Sequence, residues 1–139
     1  YRTFHSCDSL RSVTFVGMLA GPSNGEYLEC FRDCMSLQYI EGINFSYSND
    51  SGDLSNAFYN ARNINYIKFP GAATDETGFK HSAALRFCPL NREAILEIFN
   101  HLCTISHSAT LDLRNNSFTS DLTAADKLIA TNKGWTLSL

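Results

Sequence analysis

The chain has no long hydrophobic run: no apolar stretch approaches the roughly 20 residues that a membrane-spanning helix needs, so membrane insertion is not expected. It also lacks a basic cluster or stripe. Its 14 acidic and 11 basic side chains are well mixed, with a formal net charge of -3, so the electrostatic footprint of nucleic-acid binding is missing. No GxSxG, HExxH, P-loop or GxGxxG sequence occurs, and no paired acids stand in a suggestive frame. Neither catalysis nor a cofactor is expected. No basic, apolar and small-residue leader opens the chain. The first residues already lie inside a recurring pattern, as expected for a piece of a longer protein.

Cysteine is present but sparse. The five cysteines at 7, 30, 34, 88 and 103 are an odd number, far below the density of a disulfide-stapled miniprotein. Cys30 and Cys34 are spaced to meet on one helical face, but no pair of CxxC elements argues for zinc. Small buried thiols are the expectation.

What the chain does have is a repeat. Phe4, Phe31 and Phe58 stand at equal intervals, and at the third position after each come Cys7, Cys34 and Ala61. Leu10, Leu37 and Ile64 follow, then Val13, Ile40 and Ile67. The frame Phe-x-x-small-x-x-aliphatic-x-x-aliphatic reads as a short helical or turn segment leading into an alternating strand such as Val13-Thr14-Phe15 or Ile67-Lys68-Phe69. One such unit cannot bury its apolar side alone, whereas stacked copies can. Turn chemistry fills the variable stretches, GPSNG at 21–25, SNDSGD at 48–53 and PGAATDETG at 70–78.

The second half keeps the alternation with longer helices. Ala84-Leu85-Arg86-Phe87 reads as a strand ending at Cys88-Pro89. A helix is expected from the N-cap Asn91, with Ile95, Ile98, Phe99, Leu102 and Cys103 as its apolar stripe. Thr110-Leu111-Asp112-Leu113 is a further strand. Thr123 to Asp126 resembles a capping box opening a helix that turns Ala125, Leu128 and Ile129 inward and stops near Gly134. Trp135 to Leu139 is the last strand.

The stretch Leu111-Asp112-Leu113-Arg114-Asn115-Asn116-Ser117-Phe118 matches the leucine-rich-repeat core LxLxxNx[L/F]. With the 27-residue copies, it gives the chain a resemblance to the bacterial BspA-like class of leucine-rich-repeat proteins. The resemblance implies that Asn116 turns inward onto backbone, and that Met18, Ser48 and Ala72 stand where the other copies would carry the Asn. The expected fold is α/β, a right-handed leucine-rich-repeat solenoid of about six short strand–helix coils with a parallel sheet on one face. It would be a single domain over 1–139, with repeats at about 4–30, 31–57 and 58–84 and helix-richer coils over 85–139. The resemblance also implies a cell-surface, secreted or phage setting.

The function expected of such a chain is non-catalytic recognition of a protein or carbohydrate ligand. Thr14, Asn44, Lys68, Arg86, Asp112 and Thr136 are the expected outward column of the strand face, and Tyr47 and Tyr59 the expected exposed aromatics. A structural spacer or C-terminal cap is one alternative. The other is a thiol- or metal-dependent activity at Cys103, His101 and His107, although third ligands are not evident and no metal is expected.

Overall fold

The Phe-x-x-small segment of each copy cannot continue as a helix, because the residue just before the small position adopts a left-handed conformation. In the computed structural model, which describes residues 3–19, 29–47 and 54–139, Ser6, Asp33, Asn60 and Phe87 have φ of 58, 60, 61 and 61°. They recur at the interval of the Phe column, and Asn115 at 64° follows one position late. L-residues enter this region singly and do not propagate a helix there. Each segment is therefore a turn, and successive turns pair through their backbones. Phe4 N donates to Cys30 O at 3.0 Å and Phe31 N to Ala57 O at 2.9 Å. Ser6 N donates to Arg32 O at 2.9 Å, Asp33 N to Tyr59 O at 2.8 Å and Phe87 N to Arg114 O at 3.2 Å.

After the turn, the β-branched and aromatic residues of the first three copies form strands β1 (Ser12–Leu19), β2 (Tyr39–Ile43) and β3 (Tyr66–Lys68). They pair in parallel in the order β1-β2-β3, with Val13, Ile40 and Ile67 side by side. A second parallel sheet, order β4-β5-β6, joins β4 (Ala83–Ala84), β5 (Thr110–Asp112) and β6 (Thr136–Ser138). Between the strands of the second sheet run the two α-helices among the described residues, α1 (Arg92–His101) and α2 (Ala124–Thr131). Helix α1 packs on β3 and on α2, and the Phe69 amide at the end of β3 donates to Glu97 Oε1 at 3.2 Å.

The helices appear where the capping signals are. Asn91 Oδ1 accepts from Ala94 N at 2.9 Å. Thr123 Oγ1 accepts from Asp126 N at 3.1 Å while Thr123 N donates to Asp126 Oδ2 at 2.8 Å, a reciprocal capping box. Gly134, at φ 93°, ends α2: its N–H donates to Thr131 O and that of Trp135 to Ala130 O, the paired bonds of a left-handed terminator. Lys133 Nζ reaches back to the carbonyls of Asn100 and Leu102 at 2.6 and 2.8 Å, closing the C-terminal end of α1.

One apolar cluster runs from Val13 to Trp135. Its first half is an aromatic stack in which Phe4 lies over Phe31 at 5.5 Å and Phe31 over Phe58 at 5.9 Å. Phe45, Phe69 and Phe79 meet one another, and Phe45 and Phe79 meet Phe58, at tilted or edge-on angles. Each fully buried Phe stabilises the fold by about 1.5–3 kcal/mol. No helix among the described residues is long and apolar enough to cross a membrane.

The expected solenoid of about six strand–helix coils over one parallel sheet is corrected by this arrangement of two three-stranded parallel sheets and, among the described residues, only two α-helices. The i, i+3 spacing of Phe and small residue read as a helical face is the spacing of a tight turn, and a left-handed residue in each copy forbids the helix. Expected strand residues Arg86 and Phe87 lie beyond β4, in a turn. In α2 the buried residues are Asp126 and Ala130, whereas Leu128, expected inward, is 54% exposed and Ala125 is exposed.

Candidate functional site

The expected outward column divides between the two sheets. In the first, the register row is Thr14, Glu41 and Lys68. Asn44 is not in it: it is 4% exposed, and its Oδ1 accepts from Ser46 N at 3.0 Å and Ser46 Oγ at 2.6 Å. Strand alternation does not reach Asn44, because β2 ends at Ile43 and a 3-10 turn begins at Phe45. The residue that takes the outward place, Glu41, is already engaged. Lys68 Nζ lies 2.9 Å from its Oε1 and the Tyr39 hydroxyl donates to its Oε2 at 2.9 Å. These partners hold the Glu41 carboxyl below its ordinary range, Lys68 first. Tyr39 stacks on Tyr66 at 6.2 Å. Tyr39, Glu41, Tyr66 and Lys68 on β2 and β3 are thus an internally paired network.

In the second sheet the rows are Thr110 beside Thr136, and Ala84, Asp112 and Ser138. Thr136 is exposed, but Asp112 is buried and holds two guanidinium groups. Arg86 Nε donates to its Oδ2 at 2.6 Å, and Arg114 donates from Nε at 3.0 Å and from Nη2 at 2.8 Å. The Arg114 guanidinium foremost, with its backbone N–H and Arg86, pulls the Asp112 carboxyl down to about 2 against the cost of burial. Asp112 is therefore an anchor for arginines and not itself a free contact.

Those arginines belong to a face that the sequence frame defines but that its Phe, small and aliphatic columns pass over. The residue after each Phe position is His5, Arg32, Tyr59, Arg86 or Arg114, and the next is the left-handed residue. Asn60 Nδ2 donates to Asp33 Oδ1 at 3.1 Å, linking two left-handed positions. Arg32 lies over the Tyr59 ring at 5.0 Å, with Nη1 on Glu29 at 2.7 Å and Nε 3.4 Å from Asp33. Arg62 lies over the Phe87 ring at 5.0 Å. Among the described residues Arg62 makes no ion pair. Between these groups is a cavity of about 310 Å³ lined by Asn56, Tyr59, Asn60, Arg62, Arg86 and Phe87, with Ala84 among its lining residues. Ala84 stands in the row where the next strand has Asp112, so the smaller side chain leaves the space.

Phe87 is the exception in its column. Ser, Asp and Asn tolerate a positive φ, whereas for a bulky aromatic it costs on the order of 1–3 kcal/mol. Phe87 is nevertheless 49% exposed, and Tyr59 across the cavity is 56% exposed. A strained backbone is here holding an aromatic ring at the surface. Tyr59, an expected exposed aromatic, is part of this site. The side chain of Tyr47 lies outside the described ones.

The HxCx3H cluster does not converge. His101, expected off the apolar stripe, is buried. Its Nδ1 donates to the Asp75 carbonyl at 2.9 Å, its Nε2 lies 3.4 Å from Glu97 Oε1, and its ring stacks on Phe69 at 5.3 Å. Cys103 Sγ donates to Glu76 O at 3.3 Å, and burial pushes this thiol up to about 11. His107 Nε2 donates to Lys80 O at 3.0 Å, and its ring stacks on His81. Among the described residues no group of three or more His, Cys, Asp or Glu side chains is placed to hold a metal ion.

Asn116 is buried and turned inward, its Nδ2 donating to Leu85 O at 2.9 Å and Leu113 O at 2.6 Å. Its equivalents are not Met18, Ser48 and Ala72 but the residues that follow the left-handed position, Cys7, Cys34, Ala61 and Cys88. Ser48 itself, with the Met18 side chain, lies outside the described residues. No protein-family model, curated protein or solved structure matches the chain at a significant level, and nothing among them identifies a BspA-like family.

Proposed function

We propose that the chain is a non-catalytic recognition module that takes a protein or carbohydrate ligand on its turn face, at the cavity between Tyr59 and Phe87. The observation that carries this reading is Phe87, an exposed aromatic held at φ 61° beside an arginine that makes no ion pair among the described residues. A fold seeking only stability places Asn or Asp there, as two neighbouring copies do. Strain kept at an exposed position is a mark of a functional surface. The cavity is also at the small end of the range for ligand sites, about 300–1,000 Å³, and mixes aromatic faces with amide and guanidinium groups that fix orientation.

The test is a fragment screen by protein-observed NMR, with sugars, amino acids, carboxylates and neutral aromatics added singly to the labelled protein. Amide and guanidinium shifts clustered on Asn56–Arg62 and Leu85–Phe87 support the reading. Shifts confined to the first sheet's Tyr39–Lys68 face, or none on the turn face with any fragment, overturn it.

A further inference from the structure

The charge on this face is uneven in a way the whole chain is not. Four of the seven arginines, Arg32, Arg62, Arg86 and Arg114, lie on it although the net charge is -3. Arg32 is neutralised by Glu29 and Asp33. At the cavity, however, Arg86 shares the Asp112 carboxylate with Arg114, and Arg62 makes no ion pair among the described residues. Arg86 uses Nε alone in its bond to Asp112, and Arg62 Cζ lies over the Phe87 ring at 5.0 Å. Guanidinium N–H groups not engaged by a carboxylate are donors for a planar, two-pronged acceptor. An anion with carboxylate geometry completes this arrangement.

The remaining lining distinguishes a sugar from a peptide. Extended peptides are commonly captured by adding to an unpaired backbone ladder, and several backbone groups of the lining residues are already paired. Tyr59 O accepts from Asp33 N, Phe87 N donates to Arg114 O, and Ala84 is paired with Asp112. The lining includes the amide residues Asn56 and Asn60 and the aromatic residues Tyr59 and Phe87, the last two each about half exposed. Ring faces pack against the C–H face of a sugar, and amides pair with its hydroxyls.

Resting on the recognition reading above, we infer that the cavity binds an acidic carbohydrate, through a sugar ring bearing a carboxylate. Arg62 and Arg86 hold the carboxylate, Asn56 and Asn60 the hydroxyls, and Phe87 and Tyr59 frame the ring. The attraction is electrostatic at a solvent-facing site, so it weakens as salt rises past a Debye length of about 10 Å at 0.1 M.

The experiment uses the whole chain on an immobilised oligosaccharide panel in which each uronic- or sialic-acid-terminated member is paired with its neutral counterpart, beside a Glu-rich peptide. The expected result is binding of acidic members at least tenfold tighter than of their neutral partners. That preference is removed in R62Q/R86Q, and binding falls at least tenfold in F87N at an unchanged or raised melting midpoint. Equal binding of acidic and neutral members, lost in F87N, overturns the acidic class while leaving recognition at this cavity intact. Binding of the peptide alone overturns the carbohydrate class. Binding of no member, or binding indifferent to all three substitutions, overturns the inference, and the fragment screen then decides separately whether the cavity recognises anything.

Discussion

Cys34 Sγ donates to the Phe4 carbonyl oxygen at 2.7 Å, across the space between one copy of the repeat and the next. Asn116 Nδ2 makes the corresponding bond to Leu85 O at 2.9 Å, since Leu85 stands in the Phe column and Asn116 in the small column. Within this fold a buried thiol and a buried amide do the same work: each satisfies a carbonyl of the preceding turn. Cys34, Cys88 and Cys103, each with its thiol on a backbone carbonyl, are thereby explained as structural donors.

Thiol accessibility follows from that role. All five cysteines are free, and Cys30, Cys34, Cys88 and Cys103 are buried while Cys7 is half-buried. Burial pushes Cys30 and Cys88 up to about 12 and Cys103 to about 11, so little reactive thiolate exists near pH 8. Titration of the native protein with a disulfide reagent is expected to show at most one fast thiol, Cys7, with the other four reacting only on unfolding. Two or more fast thiols would contradict the structural assignment.

Phe87→Asn tests whether the left-handed strain is dispensable for folding. Asn relieves backbone strain of on the order of 1–3 kcal/mol and forfeits a cation–π contact worth about 0.5–1 kcal/mol. The expected change in unfolding free energy is between zero and a gain of about 2.5 kcal/mol, measured by urea denaturation. A clear loss of stability makes Phe87 a packing residue instead.

Gly42→Ala is expected to destabilise by more than about 1 kcal/mol. Gly42 has φ 88°, and an added Cβ would collide with the Phe15 carbonyl oxygen on the neighbouring strand. Its position beside the register shift between β1 and β2 leaves no alternative backbone path. An unchanged denaturation midpoint would sink this account of the shift.

Thr123→Ala removes the hydroxyl half of the α2 capping box. The cost expected is about 1 kcal/mol, seen as a melting midpoint lower by a few degrees, with Thr123→Ser restoring most of it. Equal midpoints for Ala and Ser would show that the cap contributes nothing.

Acid stability depends on Asp112 and Asp126. Arg92 foremost, at 2.8 and 2.9 Å, and the Thr123 backbone hold the Asp126 carboxyl at about 2, and Arg114 foremost holds Asp112 at about 2. Both folded values lie below the ordinary 3.8. Each therefore contributes stability that is present in full above about pH 4 and is lost as pH falls through about 2. The melting midpoint is expected to drop over that window, and D112N and D126N to flatten the drop from a lower starting value. A midpoint as pH-dependent in both variants as in the wild type would remove these carboxylates from the account.

Much of the local structure was legible in the residues. The evenly spaced column of Phe4, Phe31 and Phe58 does stack ring on ring, Asn91 and Thr123 do cap helices, and Gly134 does terminate one. The site was less legible. Tyr59 was visible as an exposed aromatic, but Arg62 and Phe87 were not singled out, although the frame contains them. Phe87 sits one repeat after Asn60, in a column otherwise of Ser, Asp and Asn, and that mismatch is the signal that names it. Asn44 and Asp112 leave the outward column because β2 ends at Ile43, before Asn44, and because a carboxylate between two arginines turns from a surface group into a buried anchor.

The amino-acid sequence by itself determined which residues recur, which helices begin and end where they do, and which apolar columns stack, because those depend on local backbone preference and on side-chain volume at fixed spacing. Only the tertiary structure decided that the copies divide their strands between two sheets, that the Phe-x-x-small segment is a left-handed turn, and that Arg62, Arg86 and Phe87 meet around one cavity. Those outcomes depend on which turns pair from one copy to the next and on which partner each charge finds in space, and neither is encoded in the order of residues along one copy.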